Sequence, residues 1–317
     1  MTRSETVKKA KDIISTRRAE AVHTFESHIA EVSAVVPRIA EIDRLLSKTG
    51  ARIVGNALNI ENAGVEVIRA DYEDLVREKR SLLVSAGYPE DYCDIKYTCE
   101  KCADSGFVGI KICDCLKKEI VKASLESSGL FYLTETQNFG TFSLSYYEGK
   151  AREIMEQNIS ILRSFVESFN RENDKSFLFM GGTGLGKTHL STSVAVSLIE
   201  KGAYVVYESS IKLFSDFEAR QFGRSPFGDD TDTEKYLDCD LLIIDDLGCE
   251  MTNSYTISCL YNIINSRMIR HRSTIISTNL TQAELRKRYT DRIVSRIFGE
   301  FRPILFSGKD IREQKLR

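Results

Sequence analysis

The chain has 317 residues and a mass of 35.9 kDa, a length that predicts about two domains and leaves ample chain for at least one large core. Its 44 Lys/Arg stand against 46 Asp/Glu, a net charge of −2 that excludes a polycation coating nucleic acid indiscriminately. Hydrophobic residues at 42%, charged residues at 28% and only four prolines exclude collagen, a Pro-rich scaffold and a disordered chain.

The N-terminus, MTRSETVKKAKDIIS, lacks the apolar core and small-residue cleavage site of a secretory signal, and no run of 18 apolar residues occurs. The expectation is a cytoplasmic protein. Residues 5–86 read as helical: Val22, Phe25, Ile29, Val32, Val36, Ile39, Ile42 and Leu46 alternate spacings of three and four and so share one face. Pro37 should break this run, and a second stretch carries Val65, Ile68, Tyr72, Leu75 and Leu82 before the Gly87-Tyr88-Pro89 turn. Two readings stand side by side, a hairpin that packs on itself and a stripe that docks a partner. Residues 1–92 are expected to form this coiled-coil-like helical arm.

Five of the eight cysteines lie between Cys93 and Cys115. Cys99-x-x-Cys102, ten intervening residues and Cys113-x-Cys115 supply four thiolates, enough for a tetrahedral structural Zn²⁺ in a compartment that keeps thiols reduced. Buried or redox-active thiols are the alternative, and Cys93 is a spare or substitute ligand. The module is expected over 93–125. A linker follows over 126–150, rich in aromatics: Phe131, Tyr132, Phe139, Phe142, Tyr146 and Tyr147.

From 151 to 317 the pattern becomes α/β. Strands are expected at 176–181, 203–208, 240–245, 273–278 and 302–306, with helices at 151–170, 187–201, 210–221, 254–271, 281–288 and 291–299. Continuous apolar strands separated by helices predict a parallel five-stranded sheet covered on both faces. Directly after the first strand, Gly181-Gly182-Thr183-Gly184-Leu185-Gly186-Lys187-Thr188 matches G-x-x-x-x-G-K-[ST] at each fixed position. The glycines let backbone N–H groups surround the phosphates of a nucleotide, Lys187 adds a point charge, and the Thr188 hydroxyl suits Mg²⁺. A metal-assisted hydrolase also needs acids at the end of a neighbouring strand, and Leu241-Leu242-Ile243-Ile244-Asp245-Asp246 supplies two. Asp245 is assigned to the Mg²⁺ shell and Asp246 to polarising the attacking water, with helix capping as the alternative. Asn279, ending the fourth strand, would orient the same water or serve as a turn residue.

These parts resemble a P-loop AAA+ ATPase, with Walker A at 181–188, Walker B at 241–246 and a sensor-1 Asn at 279. Leu-Ile-Ile-Asp-Asp-Leu-Gly and Ser-Thr-Asn-Leu are similar to the DnaC/DnaI-type replicative helicase loaders and the related IstB-type transposition helpers, over about residues 139–310. The resemblance implies ATP and Mg²⁺ bound between subunits of an ATP-bridged oligomer. It makes Arg296 the first and Arg292 the second candidate for the arginine that reaches a neighbour's γ-phosphate, with a solvated basic face as the alternative. Slow hydrolysis is implied because Asp246 stands where Glu is commoner. With Arg317 as the last residue, the helical lid that usually carries a further arginine is not expected. Loaders of the DnaI kind carry a zinc-containing N-terminal domain, so the cysteine module favours a loader that binds a DnaB-type hexameric helicase and single-stranded DNA. The alternative is an IstB-type ATPase assisting a transposase. Residues 286–317 hold ten Lys/Arg against four acids, a net +6 that suits phosphate contact. The helix near Ile211–Phe217 is a further DNA-facing candidate, and the Phe139–Phe142 connector is the candidate for contacting adenine.

Overall fold

The structure, a computed structural model, describes residues 2–58, 65–170, 175–222 and 233–315, with the side chains of 49–69 outside the description. Val65 and Ile68 of the expected stripe, and Arg317 of the basic segment, therefore lie outside the described side chains.

Chain contacts divide the molecule into two compact units, residues 11–117 and residues 1–10 with 118–317. The first unit contains most of α1 (Arg3–Val35), all of α2 (Pro37–Leu58) and α3 (Val65–Ser85), and the hairpin of β1 (Phe107–Val108) and β2 (Lys111–Ile112). Pro37 opens α2 at the position where its missing N–H costs nothing, so the proline ends one helix and starts the next. α2 packs on α3. Val32 and Ile39 of the stripe are buried with Leu83 and Cys93, so this part of the apolar face is covered within the unit.

The second unit continues through α4 (Asp114–Ser127), α5 (Gly149–Glu167), β3 (Ser176–Met180), α6 (Lys187–Glu200), β4 (Val205–Ser209), α7 (Ser210–Phe222) and α8 (Lys235–Asp238). It ends with β5 (Leu241–Leu247), α9 (Ser254–Ile269), β6 (Ser273–Thr278), α10 (Gln282–Arg288), α11 (Asp291–Glu300), β7 (Phe301–Leu305) and α12 (Ile311–Gln314). All five large strands are parallel, in the order β4-β5-β6-β3-β7. This is the P-loop AAA+ α/β fold expected from the motifs.

Strand alternation splits the apolar residues between two faces. Phe177, Phe179, Leu241, Ile243 and Ile275 pack with Met155 and Leu162 of α5 and Leu190, Val194 and Leu198 of α6. Leu178, Leu242, Ile244 and Ile276 pack with Leu213, Leu260, Ile263, Ile293, Val294 and Ile297 from α7, α9 and α11. The result is a three-layer sandwich, and the carboxyl ends of β3, β5 and β6 converge where such sheets hold ligands.

Candidate functional site

The site begins at the carboxyl end of β3, where the chain turns from strand to helix through Gly181 to Gly186. Gly181 has φ 155°, and a Cβ there would overlap the Phe306 carbonyl; Gly184 has φ 69°, and a Cβ there would overlap the Asp310 carboxylate. Both positions demand glycine on conformation and on space. α6 opens at Lys187, which presents the positive end of the helix dipole to this loop.

Five side chains from α6, from β5 and from the residue that follows β6 meet here. Lys187 Nζ donates to Gly181 O at 2.8 Å, Gly182 O at 2.7 Å and Asn279 Oδ1 at 2.6 Å. Thr188 Oγ1 donates to Asp245 Oδ2 at 3.2 Å, and Asn279 Nδ2 lies 3.4 Å from Asp246 Oδ1. The expected lysine, threonine, two acids and amide thus share one cleft.

The pairing of β5 with β6 slips between Ile244 and Leu247, and Asp246 adopts φ 54°. A left-handed non-glycine residue at such a slip re-aims its side chain, and Asp246 lines the cleft beside Lys187 and Asn279. Burial and the adjacent Asp245 raise the Asp246 carboxyl above the ordinary range. Burial lowers the Lys187 ammonium, opposed by both aspartates.

The cleft rim comes from the connector and the C-terminal segment. Thr141, Phe142 and Tyr146 line one side, Arg312 and Lys315 the other. His189 bonds Asn138 O through Nε2 at 3.1 Å, and its ring meets Phe142 edge-on at 5.1 Å. Burial holds the His189 imidazole below its ordinary pKa. Of the Phe139–Phe142 connector, Thr141 and Phe142 reach the cleft wall; Phe139 packs against the core instead, with the Arg163 guanidinium 5.5 Å from its ring.

Arg292 and Arg296 share α11 and do not line this cleft. Arg296 lies over the Tyr261 ring at 4.7 Å, whereas Arg292 is exposed. Within the basic segment, Arg286 pairs with Asp291 at 3.6 Å, Lys309 with Glu148 at 3.6 Å, and Arg288 donates to Thr252 Oγ1 at 2.7 Å. In α7, Ile211 is exposed while Phe217 is partly buried against the core.

In the other unit, Cys99, Cys102, Cys113 and Cys115 bring their sulfurs within 4.8 Å of one another. Cys99 and Cys113 are 3.8 Å apart, Cys102 and Cys115 3.4 Å, far longer than a disulfide bond of about 2.05 Å. Buried Asp104, itself left-handed, shapes the first knuckle by accepting from Thr98 N at 2.7 Å and Cys99 N at 3.0 Å. Cys113 N donates to Gly106 O at 2.8 Å, tying the two cysteine pairs together. Cys93 is buried in the apolar cluster beneath α1–α3, apart from these four, and burial raises its thiol.

With this geometry in view, comparison with known proteins is specific. The profile of the IstB-like ATP binding protein family matches residues 139–298, half of the chain, which include Lys187, Thr188, Asp245, Asp246 and Asn279. The chain belongs to the IstB-like ATP-binding family. Among relatives of this family member, the replicative helicase loader DnaC of Escherichia coli (strain K12) is 27% identical over 139 residues, 44% of this chain and 56% of that protein. DnaC of Buchnera aphidicola subsp. Schizaphis graminum (strain Sg) is 27% identical over 135 residues, 43% and 54% respectively. The chain therefore spans about half the length of these DnaC relatives. The phage-like element PBSX protein XkdC of Bacillus subtilis (strain 168) is 25% identical over 227 residues, 66% of this chain and 81% of that one. Among solved structures, that of the DnaC helicase loader is 25% identical, covering 54% of this chain and 97% of that one, with a TM-score of 0.46.

Three residues of this IstB-like site escaped the sequence reading. Ser277 on β6 donates to Asp245 Oδ1 and accepts from Asp246 N at 2.9 Å. Tyr207 on β4 donates to Asp245 Oδ2 at 2.6 Å. Arg312 enters the cleft from beyond the last strand. A polar residue in a fully buried strand was the available signal for Ser277; Arg312 lay in a basic tail whose charges read alike.

Proposed function

We propose that this chain is an ATP-dependent helicase loader, a Mg²⁺-assisted ATPase that binds single-stranded DNA and a DnaB-type hexameric helicase. The observation that carries the ATPase part is the convergence of Lys187, Thr188, Asp245, Asp246 and Asn279 on one glycine-rich cleft at the carboxyl ends of three parallel strands. Lys187 would exchange its carbonyl and amide partners for phosphate oxygens, which desolvated ammonium groups bind strongly. Thr188 and Asp245 are the residues fitted to hold Mg²⁺, their oxygens already 3.2 Å apart. The ion would neutralise charge on the phosphates. Asp246 would accept a proton from the attacking water and Asn279 orient it. Arg296, with Arg292 beside it, would complete the cleft of a neighbouring subunit, which agrees with their absence from the lining of their own.

Cys99, Cys102, Cys113 and Cys115 fit a structural Zn²⁺. A tetrahedral site with Zn–S of about 2.3 Å sets its sulfurs about 3.8 Å apart; two of the Sγ pairs lie at 3.8 and 3.4 Å and all four atoms within 4.8 Å of one another. Bound metal would fix the knuckle and hairpin as one rigid piece. This module is the feature that favours helicase loading over transposition.

The test is capture of a purified DnaB-type helicase by the full chain with and without ATP, followed by loading of that helicase onto circular single-stranded DNA. The loader reading expects capture and ATP-dependent loading. Strong preference for duplex DNA, with stimulation of a transposase and no helicase capture, would establish the IstB-type reading in its place.

A further inference from the structure

Asp245 is held by more hydroxyl groups than a strand-end acid ordinarily needs. Its Oδ1 accepts from Ser277 Oγ on β6, and its Oδ2 accepts from Tyr207 OH on β4 at 2.6 Å and from Thr188 Oγ1 on α6 at 3.2 Å. Three donors from three separate elements leave the carboxylate one orientation. Ser277 and Thr188 lie at or beside the strand ends. Tyr207 does not: in the parallel register it is opposite Ile243, while Asp245 is opposite Ser209. Tyr207 therefore stands one side-chain row deeper on the same face of the sheet and reaches Asp245 only because a phenol carries its oxygen at the far end of a rigid ring. A further polar neighbour is the Oγ of buried Ser191 on α6, 3.3 Å away, and Ser191 in turn bonds Thr188 O at 3.0 Å. The hydroxyl thus sits between the helix that presents Thr188 and the strand that presents Asp245.

We propose that Tyr207 is a positioning residue for the Mg²⁺ site, fixing Asp245 Oδ2 toward Thr188 so that the carboxylate stands in the one orientation the metal requires. The inference rests on the reading of this cleft as a Mg²⁺–ATP site. Partners that orient a metal-binding group commonly change metal affinity by about 10- to 100-fold when removed. Tyr207→Phe keeps the ring, the packing and the strand, and deletes only the donor.

The experiment titrates Mg²⁺ into the full chain with a fluorescent ATP analogue and reads nucleotide binding by anisotropy, with a parallel series in EDTA. Tyr207→Phe should raise the Mg²⁺ concentration for half-maximal binding by about 10-fold and leave binding in EDTA within twofold. Replacing Tyr207 with 4-aminophenylalanine restores a donor on the same ring and should return the Mg²⁺ midpoint toward that of the parent, which keeps the test decisive if Tyr207→Phe folds poorly. An unchanged midpoint in Tyr207→Phe, equal weakening with and without Mg²⁺, or no recovery with the amino ring would each overturn the assignment. A parent chain that binds no nucleotide at all would instead sink the Mg²⁺–ATP reading beneath it.

Discussion

Outside the cleft, Arg267 is fully buried near the end of α9, and among the described residues carbonyls, a hydroxyl and a thiol hold its guanidinium. Its guanidinium donates to Tyr236 O at 2.9 Å, Cys239 O at 3.1 Å, Thr274 Oγ1 at 2.9 Å, the Cys239 Sγ at 3.1 Å and Ser273 O. A sequence shows only an arginine late in a helix, where a solvated charge would be the ordinary reading. Arg267→Met strands the carbonyls of Tyr236, Leu237, Cys239 and Ser273, so unfolding free energy should drop by about 3 kcal/mol in urea titration; a loss below about 1 kcal/mol would mean water or repacking satisfies them. His189 gives a pH-dependent counterpart. Burial depresses its folded pKa, so the unfolded chain takes up its proton first, near pH 6.5. Stability from this site is intact above that value and declines as pH falls below it toward the folded pKa. His189→Gln should flatten the fall in Tm between about pH 7 and 5, and an identical slope in both proteins would remove His189 from the account.

At the scale of elements, the strands and helices of the sheet unit were legible because each apolar run is short and bounded by helix-period segments. The expected strand at 273–278 coincides with β6, and the others differ from the structure by a residue or two at their ends. The slip at Asp246 was not legible, since no glycine or proline marks it; it follows from two adjacent acids both being needed on the cleft side of a strand that alternates. Tyr207 was hidden for a similar reason, looking like any aromatic in an apolar strand. The cysteine knuckles carried their own signal through spacing alone, whereas the role of Cys93 required the packing of Val32, Ile39 and Leu83 around it. Full-length protein purified without chelator should contain about one Zn²⁺ per chain by elemental analysis. Cys102→Ser should abolish that stoichiometry and expose residues 93–117 to proteolysis, while Cys93→Ser keeps the metal. Equal zinc in the Cys102 variant would remove these four thiols as the site.

On the scale of the whole molecule, nucleotide chemistry and the four-thiol cluster occupy separate units, 118–317 with the first ten residues and 11–117. The near-neutral total of −2 conceals a net +6 over residues 286–317. Several of these basic residues already hold acids or backbone: Arg286 pairs with Asp291, Lys309 with Glu148, and Arg288 donates to Glu250 O. The central claim is that the cleft around Lys187 hydrolyses ATP with Asp246 acting on the water. Its most direct test measures Mg²⁺-dependent ATP binding and turnover by the full chain and by Asp246→Asn. The account predicts binding within about threefold of the parent and turnover reduced about 100-fold, the scale of a lost general base. Turnover unchanged by Asp246→Asn would contradict it.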